Sequence, residues 1–233
     1  MQSGHNVRST VFIEARAMYR ADGPAEPVVL ERRVVEQLEA TARSQRTTLF
    51  PALLAIFYAQ IYRTTGQTRV AVASLLANRA RAEIRDTVGY FVNMVLLPGT
   101  IDPAAPFADA VRSARTTVLG SLMHQELPCQ LLPPGAVAAP AGLRADEIVF
   151  QFHELEPLPQ LHGLEVEDVR LLRARRRFPL ELFVARGETG ATVLVFYDDE
   201  RFDPAFVSEF TEGFGELAAA VAADPETPVR AVS

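Results

Sequence analysis

The chain has 233 residues, 48% hydrophobic and 22% charged, which is enough apolar material for one large globular domain. A net charge of -6 argues against a nucleic-acid-binding protein, and the single cysteine, Cys129, excludes an internal disulfide. No apolar run is long enough to span a bilayer, and residues 1–10 lack the apolar core of a signal peptide. We therefore expect a cytoplasmic protein with no membrane contact, and the 23 basic residues, all arginine, indicate a GC-rich bacterial genome.

The first predicted elements are a strand and two helices. Residues 9–20 alternate enough to predict a strand, and residues 28–46 carry the apolar stripe of an amphipathic helix. Residues 47–66 predict a second helix that is apolar nearly all round and therefore buried. Either of its two leading threonines can cap it, Pro51 fits its first turn, and Gly66 ends it.

The middle of the chain predicts two buried strands and a helix. The strands cover residues 68–76 and 90–98, and both are nearly continuous apolar runs. Asn93 is the exception, a single amide side chain within the second of these strands. An amphipathic helix follows over residues 106–125.

The last third begins with a loop and ends with a helix. Residues 132–145 are rich in Pro, Ala and Gly and predict a mobile loop. Further strands are predicted over residues 147–155, 164–172, 178–187 and 191–199. The final helix covers residues 203–225, opened by Asp203 and closed before Pro225. Strands and helices in this order predict one α/β domain, a mixed β-sheet flanked by helices, spanning residues 1–233.

The four histidines are candidates for acid–base chemistry, each with a simpler explanation. His5 lies near the terminus and His162 in a turn, and His124 follows a helix end, where an imidazolium favours the helix dipole. His153 shares a predicted strand with two phenylalanines and should face away from them. None has a second histidine or a cysteine at metal-ligand spacing, so we expect no metal site. No nucleophile elbow, P-loop or dinucleotide fingerprint occurs.

Two further features have both a structural and a functional interpretation. Cys129, beside Pro128, is more typical of a small buried hydrophobe than of a nucleophile. A basic run near residue 175 favours a solvated strand edge, but it could also dock an acidic carrier protein. The arginines of that run are Arg170, Arg173, Arg175, Arg176 and Arg177.

Several short motifs, in order, resemble the C-terminal half of condensation domains from nonribosomal peptide synthetases. They are "TGQ" at 65–67, a strand over 70–74, "NR" at 78–79, "VGYFVN" at 88–93, "HQELPCQLL" at 124–132 and "EIVFQFHEL" at 147–155. The closing strands and final helix also match the family pattern. Cys129 stands where the family usually has an aromatic residue.

The resemblance implies one lobe of a two-lobed fold like that of chloramphenicol acetyltransferase. In the family the catalytic HHxxxDG motif belongs to the N-terminal lobe, and no such motif occurs in this sequence. We therefore expect a C-terminal lobe that lacks its N-terminal partner and has no catalytic residue of its own. An exposed apolar face would then favour binding of the missing lobe, a second copy of the chain, or another protein.

The resemblance also implies which residues line the substrate cleft. They are Gly89, Tyr90, Phe91, Asn93, Gln151 and His153. Asn93 could hydrogen-bond a reacting carbonyl or amine, or it could satisfy buried backbone groups, and the sequence leaves both open. Gly89 permits a turn or a close backbone approach, and Arg79 could tie a loop through its five donors.

The family-level function implied is amide-bond formation between an acyl donor and an amine acceptor tethered to carrier proteins. The chain itself would bind no cofactor, since the substrates are carried on the phosphopantetheine of an acidic peptidyl carrier protein. Two alternatives remain: a non-catalytic module that binds a carrier or partner protein, and a small acyltransferase that uses His124 or His153.

Overall fold

A computed structural model describes residues 26–79, 82–85, 87–133, 143–155 and 178–232. The helices are α1 (Arg32–Ser44), α2 (Leu49–Thr65), the short α3 (Ala82–Arg85), α4 (Phe107–Met123) and α5 (Pro204–Ala223). The strands are β1 (Val28–Glu31), β2 (Arg69–Leu76), β3 (Asn93–Thr100), β4 (Ile148–Glu154), β5 (Leu180–Gly187) and β6 (Gly190–Tyr197). No helix in the described part of the chain is both long and apolar enough to cross a membrane.

The six strands form one mixed sheet in the order β1-β6-β5-β4-β2-β3. Strands β2, β4 and β5 run parallel to one another, and the remaining neighbours pair antiparallel. Helices α1, α2, α4 and α5 contribute to one large apolar core against the sheet. The predicted α/β class, a mixed sheet flanked by helices, is confirmed.

The two faces of the sheet are distinguished by which strand residues join that core. We call the helical face the one that presents residues such as Val72, Phe150 and Leu182, which pack into the core. We call the second face the opposite one, because successive strand residues point to opposite sides. Its buried members lie outside the main core and include Ala71, Ala73, Val149, Gln151 and Phe183.

Helix α2 forms the centre of the core, as its sequence predicted. Twelve of its residues are buried, and Gly66 ends it in the left-handed conformation with φ of 71°. The Tyr58 hydroxyl donates to the Leu97 carbonyl of β3 at 2.7 Å, and burial raises its pKa far above the ordinary value. Gly99 faces this ring, and a Cβ there would lie 2.5 Å from the Tyr58 Cε2 atom. These contacts fix the edge strand β3 to the core.

Two predicted boundaries are wrong. Residues 28–31, predicted as the start of a helix, form strand β1, because they pair with β6 and Leu30 enters the core. The strand predicted over residues 90–98 begins at Asn93 instead, so the amide lies at its first residue. The predicted strands at 9–20 and 164–172 lie outside the described residues, as does most of the predicted loop at 132–145.

Candidate functional site

The carboxyl ends of the three parallel strands meet at one end of the sheet. Strand β2 ends there at Leu76, which pairs with Asn93 at the start of β3. Strand β4 reaches the same end through His153, whose register partner on β5 is Ala185. In open α/β sheets ligands bind outside the carboxyl ends of strands, so this end is the natural place for a site. Asn93, His153 and the loop that carries Gly89, Tyr90 and Phe91 all lie at this end of the sheet.

Arg79 holds that loop in place. Its guanidinium donates to the carbonyls of Ile84 at 2.9 Å, Thr87 at 2.7 Å and Gly89 at 2.9 Å. Its Cζ atom also lies 4.7 Å from the centre of the Phe91 ring, a cation–π distance. The prediction that Arg79 ties a loop is therefore confirmed.

Gly89 allows the loop to fold tightly over Phe91. A Cβ at this position would lie 3.0 Å from Cε2 of the Phe91 ring, so a larger residue would displace the aromatic side chain. The turn or close backbone approach predicted for this glycine stays a prediction.

The Asn93 side chain bridges two segments of backbone. Its Nδ2 atom donates to the Gln125 carbonyl at 2.6 Å, and its Oδ1 atom accepts from the Met94 backbone N–H at 3.0 Å. Of the two roles left open by the sequence, these contacts fit the satisfaction of backbone groups. The carboxamide fastens the turn after α4 to the start of β3, and its role toward a substrate stays a prediction.

Large apolar side chains are exposed on the loop before β3 and on the segment from the last residue of α4 to Leu131. We call this set the apolar rim: Val88, Tyr90, Val92, Met123, Leu127 and Leu131. Tyr90 is 74% exposed and Met123 is 82% exposed, although both are large enough to favour burial. These side chains are exposed on two segments that the Asn93 bridge joins, so they are candidates for an interaction surface.

His153 and Gln151 lie on the second face of the sheet. The His153 ring stacks on Phe183 of β5 with 4.9 Å between the ring centres, and the imidazole is half-buried. Gln151 pairs in register with Phe183 and is only 5% exposed. As predicted, His153 faces away from Phe150, which packs in the core.

Cys129 has the environment of an unreactive thiol. It is buried after α4, and desolvation together with the Asp146 carboxylate raises its pKa. A raised pKa lowers the thiolate fraction, which is the nucleophilic form. Among the described residues, no cluster of three His, Cys, Asp or Glu side chains could hold a metal ion.

Several predicted residues fall elsewhere. His124 is the residue that follows the last turn of α4, as expected for its position. His5, His162 and the arginines Arg170, Arg173, Arg175, Arg176 and Arg177 lie outside the described residues.

Sequence reasoning missed three interactions at this site. They are the stacking of His153 on Phe183, the hydrogen bond from Asn93 to the Gln125 carbonyl, and the ion pairs of Arg186. Arg186 of β5 pairs with Glu154 of β4 and with Glu39 of α1, so it locks two strand ends to a helix. Each pairing joins residues far apart in the chain, and no local pattern in the sequence encodes it.

The fold and the site together define a class: an α/β fold with a mixed sheet, helices packed on one face and a candidate site at the strand ends. A more specific assignment comes from the family model described as "Condensation domain", which matches residues 15–233. The chain belongs to the condensation-domain family.

Proteins with similar sequences come from fungi and bacteria. Nonribosomal peptide synthetase kk1B of Curvularia clavata is 28% identical over 200 residues, which cover 83% of this chain and 2% of that protein. Phosphinothricin tripeptide synthetase PhsC of Streptomyces viridochromogenes is 26% identical over 213 residues, covering 90% of this chain and 20% of that protein. The chain therefore spans only a small part of either synthetase, and a bacterial source for it stays a prediction.

Solved structures share the fold at low identity. The first condensation domain of the calcium-dependent antibiotic synthetase, in complex with a substrate analogue, has a TM-score of 0.73 and 22% identity, covering 91% of this chain and 49% of that one. The X-domain from teicoplanin biosynthesis, in complex with OxyB, has a TM-score of 0.73 and 15% identity, covering 97% of this chain and 51% of that one. This chain thus spans about half the length of these two solved structures.

Proposed function

We propose that this chain is the C-terminal lobe of a condensation domain and forms one wall of its substrate cleft. The observation that carries the proposal is its coverage: nearly all of the chain matches about half of a solved condensation domain. The sequence contains no HHxxxDG motif, so the catalytic histidine would come from a second lobe. The reaction would be amide formation between an acyl donor and an amine acceptor, both tethered to carrier proteins through phosphopantetheine.

The geometry supports this assignment in two ways. The loop held by Arg79, together with Asn93 and His153, lies at the strand ends, where a cleft wall could present polar atoms to a substrate. The apolar rim gives the chain a surface that favours a protein partner over water. In this proposal Gly89, Tyr90, Phe91, Asn93, Gln151 and His153 line the cleft.

The test combines this chain with the lobe that carries the HHxxxDG motif in the same organism. Each polypeptide is incubated, alone and mixed, with a carrier-bound acyl thioester and an amine acceptor, and mass spectrometry measures the amide product. We expect product from the mixture only, and none when both histidines of the motif are replaced by alanine. Product from this chain alone would refute the division of labour, and absence of both product and complex would refute the lobe assignment.

A second candidate, a non-catalytic binding module, is favoured by one comparison. The X-domain that shares this fold was solved as a complex with another protein, OxyB. The same mixing experiment separates the two candidates, because a binding module would form a stable complex without amide product. Light scattering during size-exclusion chromatography measures the complex.

A further inference from the structure

Two buried glutamines of this chain differ in what surrounds their carboxamides. Gln60 of α2 lies between helices, where its Nε2 atom donates to the Phe210 carbonyl of α5 at 3.1 Å. Gln151 of β4 is equally buried, at 5% exposed, yet no hydrogen bond engages its carboxamide within the described part of the chain. Buried polar groups in proteins are nearly always paired with a protein group or with water, so water or a ligand must pair with the Gln151 carboxamide.

The Gln151 carboxamide can be reached from outside. Among the described residues, the side-chain polar atoms that are both sealed from solvent and unpartnered are Gln60 Oε1 and Gln67 Oε1. Gln151 has no partner and is absent from this set, so its polar atoms keep contact with solvent. An accessible and unpaired carboxamide on a largely buried side chain is suited to a ligand.

The surroundings of Gln151 favour an uncharged ligand. Its register partner on β5 is Phe183, whose ring is stacked with His153. Its neighbour on the same face of β4 is Val149, and β2 presents the small side chain of Ala73 on that face. Apolar and aromatic walls penalise a charged group, whereas they accept a neutral one whose polar atoms are paired.

One buried acidic side chain lies on the same face. Glu181 of β5 is the register partner of Val149, and Val149 precedes Gln151 by two residues on the same face of β4. Glu181 is therefore a near neighbour of Gln151 on this face. Glu181 has an interaction of its own and is not a free group. A carboxylate in this position would repel an anionic ligand, which again favours a neutral one.

The chemistry of a carboxamide narrows the ligand further. It offers an N–H donor and a C=O acceptor side by side, and a secondary amide presents the complementary pair. We propose that Gln151 is a hydrogen-bonding subsite for an uncharged secondary amide that lies along the second face of the sheet. The inference rests on the proposed function, since both the pantetheine arm and a peptidyl substrate contain such amides.

The experiment observes the Gln151 side chain directly. The full chain is labelled with ¹⁵N-glutamine, and the NH₂ signals that vanish in Gln151→Met are assigned to Gln151. Pantetheine and N-acetyl-alanine methylamide are titrated in turn, and an ester analogue that lacks the amide N–H serves as the control ligand. We expect saturable shifts of the Gln151 signals with at least one amide and unchanged Gln60 signals.

The two ligands show which kind of amide binds, and the two variants show whether Gln151 is responsible for the binding. A response to pantetheine alone identifies the carrier arm as the ligand, and a response to the peptide amide alone identifies the substrate chain. Gln151→Met should weaken binding about fivefold or more, the loss expected for one hydrogen bond. Gln45→Met, at a glutamine whose carboxamide already accepts from Arg112, should leave the affinity unchanged.

Two results overturn the inference: no shift of the Gln151 signals with either amide at millimolar concentration, or equal binding of the ester. If Gln151→Met does not fold, Gln151→Asn supplies the assignment, because its carboxamide carries no glutamine label, and the wild-type titration then decides the matter. Failure here is separate from failure of the proposed function, because the mixing assay measures amide formation and does not depend on this contact.

Discussion

The two faces of the same sheet differ in how they pair the hydrogen-bond donors of buried side chains. On the helical side, the Tyr58 hydroxyl donates a hydrogen bond to the Leu97 carbonyl. The Gln60 side-chain N–H donates to the Phe210 carbonyl. On the second face, Gln151 has no partner among the described residues and His153 stacks on an aromatic ring. The comparison teaches that the helical side joins these two buried donors to backbone carbonyls, whereas the second face leaves the Gln151 carboxamide without a partner among the described residues.

The largest effect should come from truncating a phenylalanine on each face. Phe150 is fully buried on the helical face and lies 5.5 Å from the ring of Phe57, so Phe150→Ala should lower the free energy of unfolding by about 3–5 kcal/mol. Phe196, half-buried on the second face, loses less contact, so Phe196→Ala should cost less than about half of that. Urea denaturation of both variants measures the difference, and equal losses would contradict the division between the faces.

A smaller effect should follow removal of the Arg79 side chain. Arg79→Met breaks three hydrogen bonds to loop carbonyls, two of them exposed, so global stability should change by no more than about 1 kcal/mol. The loop itself should open, with amide hydrogen exchange over residues 87–92 rising about fivefold or more.

Arg112→Met is the matched control for that variant. Arg112 is an exposed arginine that pairs with Asp109 on its own helix, so its loss should leave exchange in the loop unaltered. If Arg79→Met also left the exchange rates unaltered, the loop would owe its conformation to other contacts.

The smallest effect should be a loss of folding stability in acid, caused by two carboxylates just before β4. The Arg144 side chain lowers the pKa of Asp146, and the Arg144 backbone N–H lowers the pKa of Glu147, from ordinary values of 3.8 and 4.5. Because the folded state binds these protons less readily than the unfolded state, this stability is present above those values and is lost as pH falls through and below them. The loss should be no more than about 1 kcal/mol, since the pairs are near the surface.

Denaturation at several pH values tests this response. Glu147→Gln should flatten the dependence of unfolding free energy on pH below about 5, whereas Glu216→Gln, at an exposed glutamate of α5, serves as the control. An unchanged slope in Glu147→Gln would show that the acid response arises elsewhere.

Local patterns in the sequence predicted the elements whose signals lie within a few residues. The buried helix α2 and its end at Gly66 were predicted correctly, because periodicity and glycine conformation are local properties. Strand β1 was missed because its structure depends on pairing with β6, about 165 positions away. The same reason hides the stacking of His153 on Phe183, since the parallel register of β4 and β5 is set by the whole sheet.

The pairing of β1 with β6 has a consequence for how the chain is made. Val28 lies opposite Val193, so the sheet cannot be completed until residue 193 has left the ribosome. Contacts between such distant positions slow folding, and unpaired strand edges stay open to aggregation meanwhile. During synthesis the nascent chain therefore passes through a vulnerable interval, in which chaperone access would matter more than for a domain built from local contacts.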